Sequence, residues 1–258
     1  MTEKFKDQVV LVTGGSRGLG RAMSLGFARE GAKVVVASRK LATCQDVVTQ
    51  IEDAGGSALA HAAHMGNVAD LDALIEAAYA CFGRVDVLVN NAGINVALGP
   101  LSEITTAAFD KMVDVNLKGP WYLASRLAPR MGEHGGGCVI NVLSVAALIT
   151  PAYSGIYAAT KAGLKALTEV MAQEWAPWNI RVNALAPGSY HSDLTDGAIA
   201  ALPHYQDSMV AAALIPRIAA TEEILNPVFY LASESYTTGI TLVADGGLMA
   251  KRYATLPE

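Results

Sequence analysis

The chain has 258 residues, 52% of them hydrophobic and 17% charged, with 24 glycines and a net charge of -5 at pH 7. That balance excludes a disordered chain and suits a buried sheet with tight turns, and the length allows one large α/β domain with a substantial core. The negative charge gives no support to nucleic-acid binding, and Cys44, Cys81 and Cys138, widely spaced and odd in number, read as reduced thiols of a cytoplasmic protein.

The N-terminus carries acids and leads into a very short apolar run, so it does not read as a secretory leader. No apolar run approaches membrane-spanning length, since the longest, residues 139–150, is interrupted by Asn141 and Ser144. A protein without membrane or nucleic-acid partners is expected. Short β-branched runs at residues 9–12, 33–37, 58–63, 85–89, 138–143, 181–185 and 240–243 alternate with helical patterns. The alternation predicts an α/β fold: a Rossmann-like, doubly wound sheet of about seven parallel strands with helices on both faces. Continuous apolar stretches such as Val34-Val35-Val36 fit strands covered on both sides. No linker, repeat or composition shift marks a second domain, so residues 1–258 read as one.

The first strand runs into Thr13-Gly14-Gly15-Ser16-Arg17-Gly18-Leu19-Gly20, and an amphipathic helix over about residues 22–30 follows. Glycines in that position permit a tight turn and close backbone approach to a pyrophosphate seated on the helix N-terminus. Gly14, Ser16, Arg17, Gly18, Leu19 and Gly20 are therefore candidate dinucleotide contacts. The second strand ends Ser38-Arg39-Lys40. An acid there would point to NAD, whereas a basic residue accommodates a 2′-phosphate. Ser38 and Arg39, with Arg17, favour NADP(H) over NAD(H); the competing reading makes Arg39 and Lys40 solvated charges at a helix start.

His61 and His64 follow the third strand without a Cys, Asp or Glu close enough in sequence to complete a zinc site, so no metal is assigned. His64 and Met65 are instead candidates to border the adenine. The fourth strand breaks at Asn90-Asn91-Ala92-Gly93, where small residues let a flat cofactor approach, making Asn91, Ala92 and Gly93 further contacts. Asn116 lies amid apolar neighbours in a helix expected over about residues 106–131, either as a hydrogen-bonded core amide or as a group that positions water. The next strand ends at Ser144, and Tyr157 and Lys161 follow at i, i+4 spacing, on one face of a helix. A phenol titrates near pH 10, and an ammonium one turn away favours the phenolate, so this pair suits proton exchange with an alcohol or ketone.

Together these motifs resemble the short-chain dehydrogenase/reductase family in its compact, single-domain form. The loop Gly14…Gly18…Gly20, Asn90-Asn91-Ala92-Gly93, Asn116, Ser144, Tyr157…Lys161, Pro187-Gly188, Tyr236-Thr237-Thr238-Gly239 and Asp245-Gly246-Gly247 carry the resemblance over almost the whole chain. It implies that Tyr157 is the general acid or base and that Ser144 binds the substrate oxygen. Lys161 would hold the nicotinamide ribose and depress the tyrosine pKa, while Asn116 would hold a water that relays protons. It also implies that Pro187, Gly188, Tyr190 and Ser192 face the nicotinamide, and that residues 189–216 form a substrate lid. The sheet edge, completed by residues 249–258, and the long helices would form the contacts of a homotetramer. Three departures from the family pattern stand out: His64 where an aspartate is frequent, Ser192 where threonine is common, and the pair Tyr190-His191.

Ala146, Tyr153 and Tyr190, with Leu98, Leu148, Tyr205 and Met209, are candidate walls of the substrate pocket beside Ser144 and Tyr157. The lid segment carries Asp193, Asp196 and Asp207 and no Lys or Arg before Arg217. That distribution disfavours phosphorylated substrates and an acidic carrier protein. The expectation is an NADP(H)-dependent oxidoreductase that interconverts a neutral or sugar-like ketone and a secondary alcohol. A 3-oxoacyl-thioester reductase and a non-catalytic dinucleotide sensor are the alternatives.

Overall fold

Strands covered on both faces explain the runs of branched side chains. In the computed structural model, which describes residues 3–201 and 204–251, Val9–Thr13 forms β1 with every residue buried. Gly18–Arg29 (α1) leads to Lys33–Ser38 (β2), and Leu41–Asp53 (α2) leads to Ser57–Ala62 (β3). Val68–Phe82 (α3) precedes Val87–Asn90 (β4), and Thr106–Val113 (α4) and Gly119–Glu133 (α5) precede Gly137–Val142 (β5). Gly155–Trp175 (α6) leads to Ile180–Pro187 (β6). The lid segment forms Asp193–Ala201 (α7) and Tyr205–Ala212 (α8), before Leu225–Ser233 (α9) and Thr241–Ala244 (β7). Residues 202–203 of the expected lid and 252–258 of the expected sheet-edge tail lie outside the described residues.

The seven strands lie in the order β3-β2-β1-β4-β5-β6-β7, and the strand pairs are parallel. This is the doubly wound sheet that the alternating pattern predicts. The chain steps outward from β1 to β3 and then returns to lay β4 beside β1. At such a reversal the connecting helices leave by opposite faces, and a crevice opens beyond the carboxyl ends of the strands. Successive side chains of a strand point to opposite faces, so each strand feeds two cores. Val10, Val12, Val34 and Val36 pack with Met23, Phe27 and Val228, whereas Val9, Leu11 and Val35 pack with Leu74, Leu127 and Met171. Phe5 closes the first layer, its ring centroid 4.9 Å from Phe27 and 5.2 Å from Phe229. Among the described residues no helix is long and apolar enough to cross a membrane.

The helix expected over residues 106–131 is broken. Between α4 and α5 the segment Asp114–Lys118 is a π turn, with the Gly119 N–H donating to the Asp114 carbonyl five residues back. Pro120 supplies the reason: proline has no N–H to give to the Asn116 carbonyl four residues earlier, and the bonding slips by one residue. The joint also abuts the β3–α3 connection, where a Cβ on Gly119 would lie 2.2 Å from the Met65 carbonyl oxygen. The slip therefore sits where Asn116 must be aimed.

Candidate active site

The glycine-rich turn closes tightly between β1 and α1. Gly14 and Gly18 have φ of 65° and 50°, a region that favours glycine. A Cβ on Gly20 would lie 2.1 Å from the Gly14 carbonyl oxygen, so only hydrogen fits there. α1 has no side-chain cap and no acid in its first turn, which leaves its N-terminal N–H groups free to meet an anion. Thr13, which sequence reasoning missed, laces this turn to β4. Its Oγ1 accepts from the N–H groups of Asn91 and Ala92 at 3.1 Å each, and the Asn91 side-chain amide donates to the Thr13 carbonyl at 2.9 Å. Nothing local marks Thr13, because its partners lie far along the chain.

A cleft of about 830 Å³ opens above these strand ends. Gly14, Ser16, Arg17, Gly18, Leu19 and Gly20 line one wall, with Ser38 and Arg39 at one end and His64, Met65, Asn91, Ala92 and Gly93 along the floor. The Ser16 hydroxyl donates to Ser38 Oγ at 2.9 Å, joining the glycine loop to the end of β2. Arg17 extends the other way and its Nη1 pairs with Asp193 Oδ2 at 2.8 Å. His64 is held by its own turn: its N–H donates to Asp70 Oδ2 at 2.9 Å, and its Nδ1 accepts from the Gly66 N–H at 3.1 Å. With Nδ1 occupied as an acceptor, the neutral ring carries its proton on Nε2.

Ser144, Tyr157 and Lys161 meet at the other end of the cleft. Ser144 follows β5 in extended conformation, and its Oγ accepts from the Ala146 N–H at 3.2 Å. Tyr157 and Lys161 share one face of α6. Lys161 is almost fully buried, and its Nζ donates to the Val142 carbonyl at 2.8 Å. With no carboxylate among the described residues to compensate, burial pushes its ammonium down to about 8.

Burial also pushes the Tyr157 phenol up, against a hydrogen bond from Ser144 that pulls it down, and the nearby Tyr205 adds to the rise. The expectation that Lys161 depresses this phenol is thus reversed in the free protein. The ammonium lies 5.9 Å from the ring centroid, turned toward Val142, and desolvation dominates. Tyr157 holds its proton at neutral pH.

Asn116 stands behind the cleft rather than in it. Fully buried on the π turn, it clamps the chain after β4: its Oδ1 accepts from the Ile94 N–H and its Nδ2 donates to the Ile94 carbonyl, both at 2.8 Å. Nδ2 also reaches Thr160 Oγ1 at 3.3 Å, a second contact that sequence reasoning missed. A Cβ on Gly93 would sit 3.3 Å from Lys161 Nζ and 3.5 Å from Asn116 Oδ1. The bare glycine is therefore the point where the lysine and the asparagine approach the cleft floor.

Pro187 ends β6 and lines the cleft with Gly188, Tyr190 and Ser192. Gly188 is pressed on the chain beyond β7, where its Cβ would lie 2.6 Å from Asp245 Cα. The base of the lid is pinned by backbone bonds at 2.9 Å from His191 N–H to the Ala219 carbonyl and from Ala219 N–H to the Ser189 carbonyl. His191 turns outward to Asp196, its Nδ1 3.0 Å from Oδ1. Among the expected pocket walls, Ala146, Leu98, Tyr205 and Met209 line the cleft. Leu148 packs instead beside Leu143 and Leu164, and Tyr153 stands outside, 65% exposed with φ of 64°. Asn95 is a lining residue that the sequence did not single out, with a buried Oδ1 that has no partner among the described residues.

A family model for short chain dehydrogenases matches residues 8–202. The chain belongs to the short-chain dehydrogenase/reductase family. It is 35% identical over 249 residues to an L-rhamnose 1-dehydrogenase (NAD(P)(+)) of Azotobacter vinelandii, covering 94% of this chain and 96% of that one. Among solved structures it resembles a 7α-hydroxysteroid dehydrogenase complexed with NADH and 7-oxo glycochenodeoxycholic acid. That match has a TM-score of 0.91 and 30% identity, over 95% of this chain and 96% of the other. A Beutenbergia cavernae protein described as a candidate NAD(P)-dependent gluconate 5-dehydrogenase, with NADP bound at low occupancy, matches at TM-score 0.91 and 33% identity, over 97% and 100% of the two chains. As a member of this family the protein is an oxidoreductase acting on alcohol and carbonyl groups. The glycine cradle and the uncapped start of α1 fit the family's NAD(P) cofactor.

Proposed function

We propose that the protein is an NADP(H)-dependent oxidoreductase that interconverts a ketone or sugar-like carbonyl and a secondary alcohol, with Tyr157 as general acid and base. The observation that carries this reading is that Tyr157 and Ser144 line one cleft with Lys161, almost fully buried, one helical turn from the tyrosine. The nicotinamide, when bound, supplies or accepts the hydride. Tyr157 gives its proton to the carbonyl oxygen in reduction and takes one back in oxidation, and Ser144 holds that oxygen by a hydrogen bond. Lys161 binds the ribose hydroxyls, and a water held at the Asn116 main chain, since its side chain is clamped on Ile94, returns protons to it. Residues 189–216 act as the substrate lid of a single catalytic domain.

The NADP(H) preference rests on Arg39 and Lys40, which line the cleft beyond the end of β2, and on Arg17 of the glycine loop, which Ser16 joins to Ser38. A panel of ketones, sugar-like carbonyls and acyl-thioesters assayed with NADPH and NADH tests substrate and cofactor together. Turnover of simple or hydroxylated ketones with NADPH is expected. Turnover of acyl-thioesters alone would instead establish the thioester reductase. Arg39→Ala is expected to lower kcat/KM for NADPH by about tenfold or more, in line with the loss of a charge-assisted contact of ~1.5–3 kcal/mol, while NADH is little changed. An unaltered NADPH to NADH ratio would remove Arg39 from phosphate binding.

Phe109 and Trp121, on α4 and α5, are large apolar side chains 45% and 43% exposed, and Tyr236 near the β7 edge is 98% exposed. We assign them to contacts of a homotetramer, in a protein that works in the cytoplasm. Light scattering should give four times the chain mass, and a dilution-stable monomer would contradict the assignment.

A further inference from the structure

We infer that Asp193 sets cofactor selectivity by competing with a 2′-phosphate for the Arg17 guanidinium, and so couples the lid to the identity of the cofactor. The inference rests on the NADP(H) reading above, in which Arg17 is one of the phosphate-binding groups. Arg17 and Asp193 are 176 residues apart in sequence, yet Nη1 donates to Oδ2 at 2.8 Å. The contact has a built base. A Cβ on Gly18 would lie 3.5 Å from Ser192 Cβ, so the start of α7 rests directly on the glycine-rich turn. Ser192 Oγ accepts from the Thr195 N–H at 3.2 Å and fixes the first turn of that helix. The Asp193 carboxylate sits in that first turn, where the helix dipole favours it.

The charge distribution of the cleft gives the pair its consequence. Arg17, Arg39, Lys40, Lys111 and Lys161 line the cleft, and Asp193 is the only carboxylate among its described lining residues. The single acid of the cleft is thus spent on one of the cations that a 2′-phosphate would need. The carboxylate occupies Nη1, so a phosphate cannot take the forks of donors that include that nitrogen while the pair is intact. NADPH therefore gains the whole Arg17 guanidinium only by displacing Asp193, which loosens α7 from the glycine turn. NADH carries no 2′-phosphate and leaves the pair intact, with the lid base held down. Asp193 is a positioning residue that acts through Arg17. It moderates a preference for NADP(H) that Arg17 and Arg39 would otherwise make steeper.

The size of the effect follows from exposure. Both side chains are more than half exposed, and such pairs in water are worth up to ~1 kcal/mol, which converts to about a fivefold change in affinity. Calorimetric titration of the full chain with NADPH and with NADH, for wild type, Asp193→Asn, Arg17→Gln and the double variant, measures it. Asp193→Asn is expected to tighten NADPH by about two- to fivefold and to leave NADH unchanged or weaker. In the Arg17→Gln background the same substitution should have no effect on NADPH. The gain should also shrink as salt is raised, since exposed charges are screened.

A purely structural role at the start of α7 would lower Tm and move both cofactors equally, and that result overturns the proposal. Weaker NADPH binding in Asp193→Asn, or an equal gain without Arg17, does so as well. A wild type that binds NADH more tightly than NADPH would defeat the NADP(H) reading by itself, while the Arg17–Asp193 double-mutant cycle would still decide whether the two compete.

Discussion

Tyr157→Phe is expected to lower turnover by about 10²–10⁴-fold, the range that a positioned proton donor contributes, while cofactor affinity and Tm stay close to wild type. The substitution removes one hydroxyl and keeps the ring that packs on α6. Ser144 loses a partner but retains the Ala146 N–H at 3.2 Å, so no buried group is orphaned. Binding of the dinucleotide depends on the glycine turn, the start of α1 and the end of β2, none of which touches the lost oxygen. The pH dependence carries a further signature. Burial holds the Tyr157 phenol above its ordinary value near 10, so in the free protein the proton is present at neutral pH and ready for reduction. Alcohol oxidation needs the phenolate, and its rate should rise with pH toward the alkaline limit. Single-turnover absorbance at 340 nm, with cofactor titration and a melting curve, separates these quantities. Full turnover in Tyr157→Phe would end the assignment of Tyr157, and lost cofactor binding would show that the phenol is structural.

The glycine turn and the Tyr157-x-x-x-Lys161 pair were legible in the sequence because both are local. A turn declares itself by residues that tolerate positive φ, and an i, i+4 pair shares a helix face wherever the helix lies. The parallel sheet was legible for a related reason, since strands covered on both faces must be apolar throughout. What escaped depends on contacts between distant segments. Pro120 announces a missing N–H, but only the packing of Gly119 on Met65 shows that the helix slips into a π turn instead of ending. Thr13 and Thr160 look like ordinary strand and helix residues until Asn91 and Asn116 arrive beside them. Tyr153 reads as a pocket wall by position, whereas its left-handed backbone turns it outward. The phenol pKa was misjudged because sequence shows the neighbouring charge and not the desolvation that opposes it.

Lys161→Met is expected to abolish turnover and, in the free protein, to raise thermal stability at neutral pH. The ammonium is buried without a carboxylate, and its pKa falls from 10.5 to about 8. At roughly 1.4 kcal/mol per pH unit, that fall corresponds to a cost of about 3 kcal/mol for keeping the charged form in the fold. Below pH 8 both the folded and unfolded chains are protonated, so the cost is fully present. Between about 8 and 10.5 the folded lysine is neutral while the unfolded one still binds a proton, and wild-type stability rises with pH. Methionine fills similar space without a charge, but it leaves the Val142 carbonyl unpaired, an offset of about 1 kcal/mol. The net gain of roughly 2 kcal/mol corresponds to a Tm increase of about 4–8 °C for a chain of this size. The gap between variant and wild type should close as pH is raised through that window. Differential scanning calorimetry at pH 7 and pH 10 measures both terms. A variant less stable at pH 7, or a gap that does not change with pH, would mean that the buried ammonium is already compensated within the fold. The predicted result would instead identify Lys161 as a charge held at the expense of stability, to be compensated only when cofactor hydroxyls enter the cleft beside it.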